Sequence, residues 1–127
     1  KAMEGDVKFD LPPGHPDEGH DIAAYYLWLF PNLMFNFYPC GLSVNVVIPV
    51  SHKQWRVLYR GYVSDVELAG QGAGSVLDTV EEQDQWVIEE VQNGMAYNAY
   101  DRGRYSPTRE QGVHHFHRMI SDSDDKF

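Results

Sequence analysis

The stretch Thr79–Gly94, TVEEQDQWVIEEVQNG, decides how the rest of the chain is read. Thr79 followed three residues later by Glu82 is a capping-box start, and Gly94 is a helix stop. Between them Val80, Asp84, Val87, Ile88 and Val91, with Met95 just beyond, recur at helical spacing. At about 100° per residue these positions form one stripe, with Asp84 near its middle. Glu82, Gln85, Trp86, Glu89, Glu90 and Asn93 take the other side. The pattern predicts an amphipathic helix with one carboxylate on the face to be buried. An isolated buried carboxylate is costly, so Asp84 is expected to be paired or metal-bound. A neighbouring loop, or an arginine such as Arg102 or Arg104, would serve as well as a metal ion.

Working outward, the chain has 127 residues, enough for one domain with a modest core. Its net charge of −9 and pI of about 4.9 argue against a nucleic-acid partner, which leaves a basic footprint. No apolar run is long enough to span a membrane, and no signal peptide opens the sequence. Cys40 is the only cysteine, so no disulfide framework forms within the chain. A reducing compartment, the cytoplasm, is therefore expected. The first residue is Lys1 rather than Met, which implies a processed chain or a piece of a longer one.

Residues 1–21 read as an irregular lead-in, because Pro12, Pro13, Gly14, Pro16 and Gly19 break helices and central strands. His15 and His20 bracket Asp17 and Glu18, a candidate metal cluster in an acidic loop whose backbone does not by itself fix imidazole geometry. Residues 22–38 contain two aromatic-rich strand-like runs that meet at Pro31-Asn32. Leu42, Val44, Val46, Ile48 and Val50 then alternate with Ser43, Asn45 and Pro49, a strand with one buried face. Ser51 to Gln54 turns the chain into a second run, Trp55 to Val63, giving an antiparallel hairpin with His52 in its turn. Val66 to Ser75, holding Gly70, Gly72 and Gly74, is a flexible connection to the Asp84 helix. After that helix, Asp101–Arg104 forms a charged turn. Ser106–Thr108 opens a final helix running to about Ile120, and residues 121–127 form an acidic, frayed tail. His114, His115 and His117 lie on this last helix. Neighbours one and two positions apart point in different directions, so their expected role is packing and hydrogen bonding.

Three segments in order resemble a known family. Phe30-Pro31-Asn32 precedes a hairpin ending in Ile48-Pro49. Glu82-Gln83-Asp84 is followed by Glu89, Gln92 and Gly94. Tyr100-Asp-Arg-Gly-Arg-Tyr-Ser-Pro107 is followed by His114-His115-Phe116-His117. Together they resemble the alpha subunit of Rieske-type non-haem iron ring-hydroxylating oxygenases, on the branch that contains choline monooxygenase. The resemblance covers about Ala23 to Ile120. It implies that Asp84 is the carboxylate of a two-His, one-carboxylate iron site, which leaves open positions on Fe(II) for dioxygen and substrate. Two departures accompany it. The family's Rieske cluster takes two Cys and two His, and Cys40 alone does not supply them. The family's iron-binding histidines lie upstream on a helical segment, and the surroundings of His15 and His20 differ from theirs. The chain is therefore expected to be only the C-terminal portion of the catalytic domain and to be inactive alone.

The fold the resemblance implies is α+β, a helix-grip antiparallel sheet with a long C-terminal helix. Phe30, Asn32, Met34 and Val46 are candidate substrate-binding residues. In the implied full-length protein, electrons from NADH pass through a reductase or ferredoxin and a Rieske 2Fe–2S cluster to a mononuclear Fe(II), usually across the subunits of a homotrimer. Dioxygen is then used to hydroxylate an aromatic or quaternary-ammonium substrate; a cage of rings would suit the cation, and Tyr25, Tyr26, Trp28, Phe35 and Phe37 supply rings. Two other readings remain. A non-enzymatic helix-grip module would bind an apolar ligand in the same aromatic walls. A trimer-contact unit would use Trp86 on the outer helix face.

Overall fold

The computed structural model describes residues 7–72, 77–95, 97 and 100–124. The chain divides into two compact units, Lys1–Asp84 and Gln85–Phe127. The first unit is built on a four-stranded antiparallel sheet in the order β1-β2-β3-β4, formed by Tyr25–Leu29, Leu33–Tyr38, Gly41–Ser51 and Gln54–Val63. Helix α1, Leu77–Met95, crosses from the first unit into the second, which also holds α2, Gln111–Asp124. The architecture is α+β, with an antiparallel sheet and a C-terminal helix.

The strands form where aromatic and β-branched residues concentrate, and turn residues separate them. Phe30, Pro31 and Asn32 join β1 to β2, and the Phe30–Pro31 peptide is cis. Asn32 ties this turn to β3. The Val47 N–H donates to the Asn32 carbonyl at 3.0 Å, and Asn32 Nδ2 donates to the Val47 carbonyl at 2.9 Å. Pro39 and Cys40 join β2 to β3. The Cys40 carbonyl accepts the Ser64 and Asp65 N–H groups, which fastens the end of β4 to this turn. Gly41 is required here: a Cβ on it would lie 2.0 Å from the Tyr62 carbonyl oxygen.

Register assigns side chains to faces, because strand side chains alternate and directly paired residues share a side. One face carries Leu27, Leu29, Leu33, Phe35, Phe37, Leu42, Val44, Val46 and Leu58. Phe35 and Phe37 stack on it with ring centres 6.2 Å apart. The other face carries Tyr26, Trp28, Met34, Asn36, Tyr38, Ser43, Asn45, Val57 and Tyr59. Tyr26 and Tyr38 meet edge-on across it at 6.2 Å. Such cross-strand pairs contribute roughly 0.2–1 kcal/mol each.

Burial departs from the alternation pattern. The expectation was that Leu42, Val44, Val46, Ile48 and Val50 would be the buried side of β3. Among the described residues the buried side chains are Tyr38 and Ser43, each 5% exposed, and both lie on the opposite, more polar face. Alternation identifies two faces but not which one acquires cover. The lead-in has turns and no helix or strand over residues 7–24. It is pinned by a Phe9 N–H bond to the Ile22 carbonyl at 2.9 Å and a Lys8–Asp21 ion pair at 2.6 Å.

Both helices depart from their expected limits. α1 starts at Leu77, so Thr79 lies inside its first turn rather than capping it, and the helix ends one residue past Gly94. α2 starts at Gln111, later than expected, because Ser106 and Glu110 close a turn first. The Ser106 N–H donates to Glu110 Oε2 at 2.6 Å, and the Glu110 N–H donates to the Ser106 carbonyl at 3.1 Å. The frayed tail was expected from residue 121, but α2 continues through Asp124, with Ser123 Oγ donating to the Met119 carbonyl at 2.7 Å.

Candidate active site

Asp84 lies on α1 with its carboxylate exposed, and among the described α1 side chains only Glu81 is half-buried. The expected buried stripe is not covered: Val80 is 43% exposed, Val87 49%, Ile88 66% and Val91 56%. Helical periodicity says which side of a helix is apolar. It does not say that the covering layer lies among the described residues. Exposed as it is, Asp84 is under no burial constraint to find a partner. Arg102, one candidate partner, lies 3.6 Å from its neighbour Asp101 at a highly exposed site.

Asp84 does have a defined setting. The charges of Glu81 and Asp84 both reach Tyr59, and that of Glu81 also reaches Tyr38. Both tyrosines belong to the same face of the sheet, so the negative charge of Glu81 and Asp84 acts on that face. Tyr59 is held above its ordinary pKa by burial, then by Glu81 and Asp84. Tyr38 is pushed well above 10.0, first by burial, then by its bond to Tyr26 and by nearby negative charge. The neutral phenols persist because ionising them would add charge to an already acidic, partly dry surface.

This face is organised around a row set by register: Trp28 pairs with Met34, Met34 with Asn45, and Asn45 with Tyr59. Beside it, Ser43 Oγ donates to Asn45 Oδ1 at 3.1 Å. Ser43, Asn45, Tyr38 and Tyr59 were missed as site residues. The alternation of β3 placed Ser43 and Asn45 on a solvent face, and only the position of α1 gives that face a role.

The four candidate substrate residues do not form one wall. Met34 pairs with Asn45 while Val46 pairs with Leu33, so Met34 and Val46 point to opposite faces. The Asn32 amide is engaged by Val47. Phe30 is partly exposed and meets Trp28 edge-on at 5.8 Å. Only Met34, with Phe30 at the margin, stays on the face addressed by Asp84. An open hollow of about 360 Å³ lies elsewhere in the first unit, lined by Phe9, Phe37, Tyr38, Leu42, Tyr62 and Val63 among others.

The histidines are placed as follows. His15 Nδ1 accepts the Asp17 N–H at 3.1 Å, and Asp17 Oδ2 accepts the Tyr25 hydroxyl at 2.8 Å. Asp17 and burial hold the Tyr25 phenol above its usual value, burial being the larger cause. His20 is exposed. In the second unit His114 packs edge-on against Tyr105 at 5.0 Å, and His117 Nδ1 bonds the Tyr105 hydroxyl. His115 is exposed. Among the described residues no three His, Cys, Asp or Glu side chains gather as a metal-binding group. Asp84 alone is one oxygen donor. The residues present therefore do not make a complete iron site.

Comparison with known proteins places the chain. The sequence profile of the ring hydroxylating alpha subunit (catalytic domain) family matches residues 3–123. The chain belongs to this family. Its relatives among characterised proteins include chloroplastic choline monooxygenases. That of Arabidopsis thaliana is 31% identical over 101 residues, covering 76% of this chain and 24% of the relative. That of Beta vulgaris is 28% identical over 104 residues, covering 79% and 23%. That of Atriplex hortensis is 26% identical over 123 residues, covering 91% and 28%. This ring-hydroxylating alpha subunit chain thus spans about a quarter of the length of the relatives it matches. No solved structure gives a significant match.

Proposed function

We propose that this chain is part of the catalytic domain of an oxygenase alpha subunit, the C-terminal portion as the resemblance implies. The full protein hydroxylates a small organic substrate with dioxygen. Its electrons come from NADH through a reductase or ferredoxin and a Rieske 2Fe–2S cluster carried outside this chain. The observation that carries this reading is the family match over residues 3–123. Asp84 is the proposed carboxylate ligand of the mononuclear Fe(II), and the two imidazole ligands come from elsewhere in the full subunit. A bound iron would supply the site for activating dioxygen. The contribution of the present residues is to hold a carboxylate over the Tyr38 face of the sheet and to shape the surface on which substrate lies. The isolated chain is inactive in this reading, and the full protein is a homotrimer in a reducing compartment.

A quaternary-ammonium substrate has the better support, with an aromatic ring as the alternative. Tyr26, Trp28 and Tyr59 share the face reached by Glu81 and Asp84. Rings backed by carboxylates favour a cation. The names of the relatives support the same class. The test is oxygen uptake by the full-length alpha subunit, loaded with iron and supplied with NADH and reductase. Choline and a set of simple aromatic compounds are added in turn. Substrate-dependent uptake with a hydroxylated product is expected. A protein with an intact, reducible cluster that consumes no oxygen with any of them would overturn the reading.

A further inference from the structure

We infer that Asn45, its amide oriented by Ser43, is the substrate-recognition residue of the Tyr38 face, donating a hydrogen bond to a hydroxyl or carbonyl oxygen on a non-anionic ligand. This rests on the oxygenase reading for its place in catalysis, but not for the binding itself. Ser43 is 5% exposed, and its hydroxyl donates to Asn45 Oδ1 at 3.1 Å. That bond fixes which end of the amide is engaged. It leaves the Nδ2 donors of a half-buried Asn45 making no hydrogen bond among the described residues. A donor held in this way, on a face reached by a helix, is arranged to meet an acceptor from outside.

The neighbours define the rest of the ligand. On one side of Asn45 the cross-strand row runs to Met34 and then Trp28, an apolar platform. On the other side lies Tyr59, a side chain that the charge of Glu81 reaches. An anion placed there would meet that charge. The fitting ligand has an apolar or cationic body over Trp28 and Met34 and one oxygen acceptor at Asn45. Discrimination of about fivefold between a ligand with the oxygen and one without it is expected, the fold-change of one net hydrogen bond of about 1 kcal/mol.

The experiment uses the full-length, iron-loaded alpha subunit under anaerobic conditions, so that no turnover is needed. Dissociation constants are measured by calorimetry for two matched pairs of probes: choline against ethyltrimethylammonium, and benzyl alcohol against toluene. The parent protein should prefer the hydroxylated member of at least one pair by about fivefold. Asn45→Leu, which keeps the shape without donor or acceptor, and Asn45→Val, which suits a strand, should abolish that preference while the member without the hydroxyl binds as before. The cluster spectrum reports folding, and the two variants fail independently. A preference unchanged in both variants would overturn the inference. So would equal binding of both members, or binding of neither, in the parent. Oxygen uptake in the same preparations separates the two levels. Lost discrimination in a protein that never consumes oxygen would leave the Asn45 site standing and sink the oxygenase reading instead.

Discussion

Asn32 and Val47 hold each other twice, backbone N–H to carbonyl at 3.0 Å and side-chain amide to carbonyl at 2.9 Å. The first turn of the sheet is therefore fastened to its third strand. Replacing Asn32 with Ala leaves the Val47 carbonyl without its side-chain donor, at a cost of about 1 kcal/mol. In the full-length subunit the melting temperature should fall by roughly 2–4 °C. The ratio of KM for the substrate to that of the parent should stay near one. A large rise in KM with unchanged melting would return Asn32 to the substrate wall.

Asp84→Ala should lower substrate-dependent oxygen uptake by about a hundredfold or more, since even losses around metal ligands cost 10–100-fold. Iron content should fall with it, while NADH and reductase still reduce the cluster. Asp84→Glu keeps the charge but shifts the oxygens by a methylene, and it should also be severely impaired. Glu89 and Glu90 are exposed on the same helix, and their alanine variants should stay within about twofold of the parent. Near-normal turnover and iron in Asp84→Ala would remove the ligand assignment.

Tyr105 joins α2 through His117 and His114. Tyr105→Phe retains the ring contacts and loses the hydrogen bond, so it should cost about 1 kcal/mol of stability with iron content unchanged. His115→Gln should alter neither. Iron loss in a folded His115→Gln protein would show that this helix contributes to the metal site.

Alkaline stability should follow the phenols of buried Tyr38 and part-exposed Tyr59. Tyr38 and Tyr59 both titrate above the ordinary value of 10.0 in the folded protein. Between their unfolded and folded pKa values the folded state holds more protons, so stability falls as pH rises. Their contribution is complete below about pH 10 and declines above it. Melting temperatures measured from pH 8 to 11 should drop beyond pH 10, and Tyr38→Phe should flatten that drop. An identical pH profile in Tyr38→Phe would assign the alkaline loss to other groups.

Gly41→Ala should be among the most damaging small substitutions in the sheet. The added methyl would sit 2.0 Å from the Tyr62 carbonyl, and backbone must move to admit it. A loss of about 2 kcal/mol or more is expected. Gly61, with open space around its Cβ position, is the control, and its alanine variant should cost much less.

What was legible in the sequence was whatever depends on neighbours in the chain. The alternation from Leu42 to Val50, the turn after Ser51 and the break at Pro31-Asn32 all became strands and turns at those places. The periodicity from Val80 to Met95 became a helix. What failed depended on distant partners. Register across the Pro39–Cys40 turn sends Met34 and Val46 to opposite sides, and no local pattern encodes that. Ser43 reads as a solvated residue, yet it is 5% exposed in the folded sheet. The family assignment of Asp84 came from an ordered set of motifs. Burial, expected from the apolar stripe, is not found at Asp84.

The Pro39–Cys40 turn sets the phase of the sheet. Side chains repeat every second residue, so β2 and β3 stay matched only while the chain between them keeps its length. One residue gained or lost there would carry Asn45 and Ser43 to the Phe35 side and put Val44 and Val46 on the Tyr38 side. Two residues would restore the phase. Loop grafts and deletion libraries across this hairpin should therefore show a parity rule, with even changes in length recovering function and odd ones losing it.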